Sequence, residues 1–173
     1  LDEDSVVVGW TPDGRVIYST EHFSTLPNRQ LVLIDPQSLV QTLVPLSQAS
    51  AGVFTADMGT LFFTRLPQQS SNAKRYQGGS VQNLWKFTFP KRKRKTLPEA
   101  VPLTADYPGT SKDAMWWNGR LYFLSDRDGT MNLWSMTENG RQPFQHTFHK
   151  GWDMQWPSLP EGCIVYQLRA DLR

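Results

Sequence analysis

Apolar residues in this chain come in runs of four to six, too short for helices and bounded by glycine, proline and asparagine. Four of these runs, RVIYST, TLFFTR, RLYFLSD and CIVYQL, each follow a tight turn: Pro12-Asp13-Gly14, Met58-Gly59, Asn118-Gly119 and Glu161-Gly162. Runs of this length, rich in β-branched and aromatic residues and bracketed by turn residues, predict strands. A further apolar strand follows each of the first three after a polar loop, reading QLVLID, NLWKF and NLWSM. The turn glycines lie 45, 60 and 43 residues apart, at positions 14, 59, 119 and 162. A period near 40–50 with several short strands per repeat is the mark of β-propeller blades.

The pattern predicts strands at about 5–10, 15–21, 30–35 and 41–46 in the first repeat, and 51–56, 60–65, 83–89 and 100–104 in the second. The third repeat has them at 114–117, 120–126, 132–137 and 143–148, and the last offers 153–157 and 163–168. The fold class is all-β, about three and a half blades of four-stranded antiparallel sheets. The whole of 1–173 reads as one partial β-propeller, with blade units at about 5–48, 50–105, 110–150 and an incomplete 152–173. The long second repeat carries an insertion, visible as the polar stretch 68–72 and the charge run 91–95. The second strand of each repeat is apolar nearly throughout, as expected of a strand covered on both faces. Trp85 and Trp134 hold equivalent places in the third strands and are expected to pack between adjacent blades. The chain stops part-way through a repeat, so a piece of a larger propeller is expected. Its open sheet edges would then favour pairing with another copy, and a homo-oligomer is expected in this sense of self-association.

Composition narrows the function classes. Hydrophobic residues make up 39% and charged residues 20%, an ordinary globular balance. The net charge of +2 is small for a dedicated nucleic-acid binder, and no nucleic-acid partner is expected. No run of about 18 apolar residues is present, so no membrane span is expected. The single cysteine, Cys163, excludes an internal disulfide; lying within CIVYQL, it is expected to be a buried apolar group.

Motifs for chemistry are few. Neither HExxH nor GxSxG occurs, and no catalytic residue, metal site or cofactor is assigned. His146 and His149 in FQHTFH have odd spacing, which on a strand sends them to opposite faces and argues against shared metal ligation. Asp126-Arg127-Asp128-Gly129 lacks the further oxygen ligands and closing glutamate of an EF-hand loop, and reads better as a hairpin turn. The KRKRK run at 91–95 lacks interleaved aromatics and reads as a solvated loop. Arg75-Tyr76-Gln77-Gly78-Gly79 leads into a strand; Arg75 and Tyr76 are the candidate substrate-binding residues, and structural need explains the glycines. Asp57, Asp113 and Asp153 come near first-strand positions without forming a carboxylate pair at equivalent places.

WTPDGRVIYSTE (10–21) and SDRDGTMNLWSMTENG (125–140) resemble the blade repeats of TolB-type propellers. KRYQGGSVQNLWKF (74–87) resembles the double-glycine segment of the six-bladed propeller of tricorn proteases, and residues 118–159 extend that likeness from one blade into the next. The resemblance implies a parent serine peptidase with a six-bladed propeller, a second propeller, a PDZ domain and a peptidase core, assembled as a hexamer. The partners it implies are peptides, the remaining domains of the parent and further copies. The implied role here is to gate or channel peptides, with first-strand residues lining a central channel and catalysis located elsewhere in the parent. The family's basic pair for a peptide carboxylate would fall at or just before the start of this chain, where Leu1-Asp2-Glu3-Asp4 is acidic instead. The alternatives are a non-enzymatic TolB-like interaction propeller and a propeller hydrolase with acids converging on the channel. The expected compartment is the cytoplasm, with the periplasm as the alternative.

Overall fold

A computed structural model describes residues 4–68, 76–92 and 95–173. Fifteen strands form, and no helix does among the described residues. The first sheet holds β1 (Val6–Trp10), β2 (Val16–Thr20), β3 (Gln30–Ile34) and β4 (Gln41–Leu43). The second holds β5 (Ala51–Phe54), β6 (Thr60–Thr64), β7 (Leu84–Thr88) and β8 (Val101–Pro102). The third holds β9 (Ser111–Trp117), β10 (Arg120–Ser125), β11 (Asn132–Thr137) and β12 (Phe144–Gln145). The fourth has β13 (Met154–Ser158), β14 (Val165–Leu168) and β15 (Asp171–Leu172). In every sheet the spatial order follows the chain order, and each pairing assigned a register is antiparallel, giving the up-and-down meander of a propeller blade.

The chain divides into two compact units, Leu1–Gln68 with Trp85–Pro102 and Gln69–Leu84 with Leu103–Arg173. In the former, one core joins the first two sheets: Ile17, Leu31 and Leu33 meet Phe54, Leu61, Phe63 and Phe87, all buried. Each such side chain contributes about 1.5–3 kcal/mol by leaving water. Trp85 packs against this core, with the Arg65 guanidinium 5.1 Å from its ring centre. In the latter, Met115, Leu124 and Leu133 of the third sheet meet Met154 of the fourth, with Ile164, Tyr166 and Leu168 around them. Trp134 is half-buried on β11, its indole N–H closed off without an acceptor among the described residues.

The second strands are the covered ones: all five residues of β6 are buried, as are four of the five in β2. A recurring turn starts them. Thr11 Oγ1 donates to Asp13 at 2.5 Å and accepts from the Arg15 amide at 3.0 Å; Thr55 does the same with Asp57 (2.6 Å) and the Thr60 amide (3.0 Å). The threonine thus supplies within the loop the partners that the backbone lacks there. Thr137 accepts from the Arg141 amide at 3.1 Å in the same way, after β11. Asn118 and Gly119, both at positive φ (44° and 80°), make the two-residue hairpin between β9 and β10.

Two expectations change in the fourth sheet. Cys163 is exposed, not buried in a strand. Glu161 and Gly162 are left-handed (φ 48° and 82°), and the Cys163 amide donates to the Pro160 carbonyl at 2.9 Å, so the turn extends through Cys163 and β14 starts only at Val165. A third strand, β15, is absent from the hydrophobic pattern; Arg169 at φ 59° reverses the chain so that Leu168 pairs with Asp171.

Candidate functional site: the first strands

The first strand of each sheet is where neighbouring sheets approach: β1 lies against β5 in one unit, and β9 against β13 in the other. Three of these strands depart from regular pairing in the same way. From Val7↔Tyr18 to Trp10↔Val16, β1 advances three residues while β2 advances two. β9 does so from Lys112↔Leu124 to Met115↔Tyr122, and β13 from Gln155↔Gln167 to Ser158↔Val165. Two residues opposite one make a β-bulge, which bends the strand and re-aims a side chain. The bulged positions are Val8-Gly9, Asp113-Ala114 and Trp156-Pro157. Asp113 (φ 53°) and Trp156 (φ 51°) occupy the same register position and are both left-handed, a conformation rare for non-glycine residues and more so for a bulky one. β5 is unbulged; a Cβ on its Gly52 would lie 2.8 Å from the Phe62 carbonyl oxygen, so that close backbone approach demands glycine.

The most open side chains of the first strands are on β1 and β13, while those of β5 are partly or fully buried. Val7 is 61% exposed, Trp10 69% and Trp156 66%. Of the three acids noted in the sequence, Asp113 alone sits in a first strand. Its carboxylate lies 3.7 Å from Lys112 Nζ, and burial pushes its pKa up, with Lys112 opposing. Consecutive residues of a regular strand face opposite ways; the left-handed bulge brings these two together. Asp57 instead lies in the β5–β6 turn, where the Thr55 hydroxyl and the Gly59 amide lower its pKa. Asp153 precedes β13 and accepts from the Met131 amide at 3.0 Å.

The remaining polar clusters hold the third sheet together. Tyr107 Oη and the Thr110 amide both donate to Asp126 Oδ1 at 2.9 Å, which fixes where β9 begins. Burial and that bond push the Tyr107 hydroxyl up to about 12. The Arg127 guanidinium covers the Tyr107 ring at 5.0 Å and is 3.8 Å from Asp106. Asp128 serves the turn rather than a cation cage: it accepts from Asn132 Nδ2 (3.1 Å) and Gln145 Nε2 (2.5 Å), while Gly129 (φ 92°) donates its amide to the Asp126 carbonyl at 2.8 Å. His146 Nε2 is 2.8 Å from Ser135 Oγ, and His149 Nε2 is 3.0 Å from the Tyr166 hydroxyl, so the two histidines have separate partners. Arg120 donates to Ser135 Oγ through Nε (3.2 Å) and Nη2 (3.0 Å), which leaves the serine proton for His146 and makes that ring nitrogen an acceptor. Ser135 is fully buried and its hydroxyl is committed to this triangle. Among the described residues, no three His, Cys, Asp or Glu side chains are grouped so as to hold a metal ion.

Of the candidate substrate-binding residues, Arg75 lies outside the described residues. Tyr76 is half-exposed with its hydroxyl end lying against Gly78, a contact that its side chain can relieve by moving, and Gly79 faces open space. Lys91, Arg92 and Lys95 are exposed in the β7–β8 loop, and 93–94 lie outside the described residues. The first-strand bulges go beyond the sequence pattern; Gly9 and Pro157, each within a strand-like run, are the signals that could have found two of them.

A family model described as the tricorn protease N-terminal beta propeller domain matches residues 1–173. The chain belongs to this family. Among curated relatives, tricorn protease homolog 2 of Streptomyces coelicolor is 30% identical over 129 residues, covering 74% of this chain and 10% of that protein. The tricorn protease of Thermoplasma volcanium is 27% identical over 145 residues, covering 83% and 13%. The crystal structure of the tricorn protease superposes on 97% of this chain and 16% of its own, at a TM-score of 0.78 and 19% identity, which shows the shared propeller fold. The chain therefore spans roughly a tenth to a seventh of the length of the curated relatives it matches.

Proposed function

We propose that this tricorn-family propeller lines and gates the route by which peptides reach a serine-peptidase core carried elsewhere in the parent protein, which works as a homo-oligomer. The observation that carries this reading is the contrast between strands: β2 and β6 are sealed, whereas Val7, Trp10 and Trp156 on first strands stay open. The residues here act by shape and charge, while bond cleavage belongs to groups outside the chain.

The test uses the full-length parent. With Cys163→Ser removing the exposed thiol, Val7→Cys is labelled with a bulky maleimide, and turnover of long and short peptides is compared. Hydrolysis of long peptides should slow at least several-fold while that of dipeptide reporters is unchanged. Equal rates for both lengths before and after labelling would refute channelling along β1.

A further inference from the structure

The bulges of β9 and β13 do more than bend their strands. They set an acid and an aromatic ring at the same register position on neighbouring first strands of one compact unit. The two strands approach one another, with Met115 and Met154 sharing a core, and beyond them the Trp117 indole meets the β13–β14 turn, so close to Gly162 that a Cβ there would lie 2.8 Å from its Nε1.

Both positions are costly in backbone conformation. A left-handed tryptophan is an outlier, and this one leaves 66% of its surface in water. Asp113 is likewise left-handed. Its side chain is mostly covered (32% exposed), and the carboxylate accepts no hydrogen bond shorter than 3.5 Å among the described residues; Lys112 stands off at 3.7 Å. A carboxylate so placed has acceptor capacity for N–H donors arriving from solvent, and an exposed indole face attracts the same cations. Backbone strain of this kind clusters where function maintains it.

We propose that Asp113 and Trp156 form a receptor for the cationic groups of peptides, an α-ammonium or a lysine or arginine side chain, on the path described above. The inference rests on that channel reading and gives it a substrate preference: the carboxylate takes the N–H donors and the indole covers the cation. Lys112 holds the carboxylate in place until a ligand cation displaces it.

Equilibrium binding to the full-length parent tests this, using fluorescent hexapeptides of D-amino acids, which resist hydrolysis. One peptide has a free N-terminus and a lysine, a second is acetylated with lysine retained, a third has a free N-terminus with norleucine, and a fourth has neither cation. The first should bind at least tenfold more tightly than the fourth, and the second and third assign the preference between the two cations. Asp113→Asn and Trp156→Ala should each remove most of that difference while leaving the fourth peptide unchanged. Asp113→Gly, which relieves the backbone and removes the carboxylate, should behave as Asp113→Asn. Equal Kd for the first and fourth peptides, or retention of the difference in Asp113→Asn or in Trp156→Ala, overturns the receptor. The maleimide-labelled Val7→Cys variant reads separately: slowed long-peptide turnover with no cation preference leaves the channel standing and removes the receptor alone.

Discussion

Asn132→Leu tests the network that ties the outer part of the third sheet to the loop leading into β13. Asn132 is fully buried, and its amide uses both ends: Oδ1 accepts from the His149 amide (2.9 Å) and the Thr147 hydroxyl (2.8 Å). Nδ2 donates to the His149 carbonyl (3.0 Å) and to Asp128. Leucine fills a similar volume and strands the His149 N–H and C=O together. The partly buried His149 groups fall in the lower half of the about 1–3 kcal/mol that an unsatisfied group costs, and the Thr147 hydroxyl keeps other partners, so a total of about 3 kcal/mol is expected. Because every 1.4 kcal/mol is tenfold, local opening should rise about 150-fold. Hydrogen exchange of the full-length parent, followed by mass spectrometry on peptides spanning 131–149, measures it, with peptides from 16–34 as the internal reference. An increase below threefold in 131–149, or an equal increase in both regions, would refute the assignment of Asn132 as a local tie.

Gly52→Ala should destabilise the first compact unit by about 1–3 kcal/mol, since the new methyl meets backbone at Phe62 that cannot rotate away; a lowered urea midpoint for the transition reporting on that unit checks it. His146 should make the β11–β12 pairing pH-dependent. Burial and then Arg120 lower its pKa beneath the ordinary 6.5, so between 6.5 and the folded value the unfolded chain binds the extra proton and stability falls as pH falls. Exchange at the Leu133 and His146 region, corrected for intrinsic rates, should accelerate below pH 6.5, and His146→Gln should flatten that response. Asp13, held to about 2 by Arg15 and the Thr11 hydroxyl, works in a lower window. Its contribution is present above the ordinary 3.8 and is lost as pH falls toward 2, so Asp13→Asn should reduce the acid sensitivity of the β1–β2 hairpin seen by NMR.

The strands legible in the sequence are those whose local signals agree. TLFFT and RLYFLS have apolar centres and start at hairpin turns, and they form β6 and β10 as expected. The family is legible for the same reason, since its turn motifs lie at fixed offsets from those strands. Cys163 misleads because its apolar run looks like one strand, while the left-handed pair Glu161-Gly162 governs where the chain straightens. β15 has two residues and no apolar pattern at all, so only the reversal at Arg169 produces it. The bulges escape such a reading because a bulge is a property of pairing between two strands. Nothing in SKDAMWW by itself says that Lys112 and Met115 will face residues only two apart on β10. Asn132 reads in the sequence as the start of a strand, and its role depends on His149, seventeen residues on.

Because each sheet pairs strands in the order in which they occur, its hydrogen-bonded partners emerge from the ribosome within a few tens of residues of one another. Contact order within a sheet is low, so each meander can close during synthesis ahead of the next. What cannot close then is its apolar face: Leu31 and Leu33 wait for Phe54, Leu61 and Phe63 to be made. The growing chain is therefore most exposed to aggregation in the intervals between sheets, and slowing translation between residues 43 and 54 would lengthen such an interval.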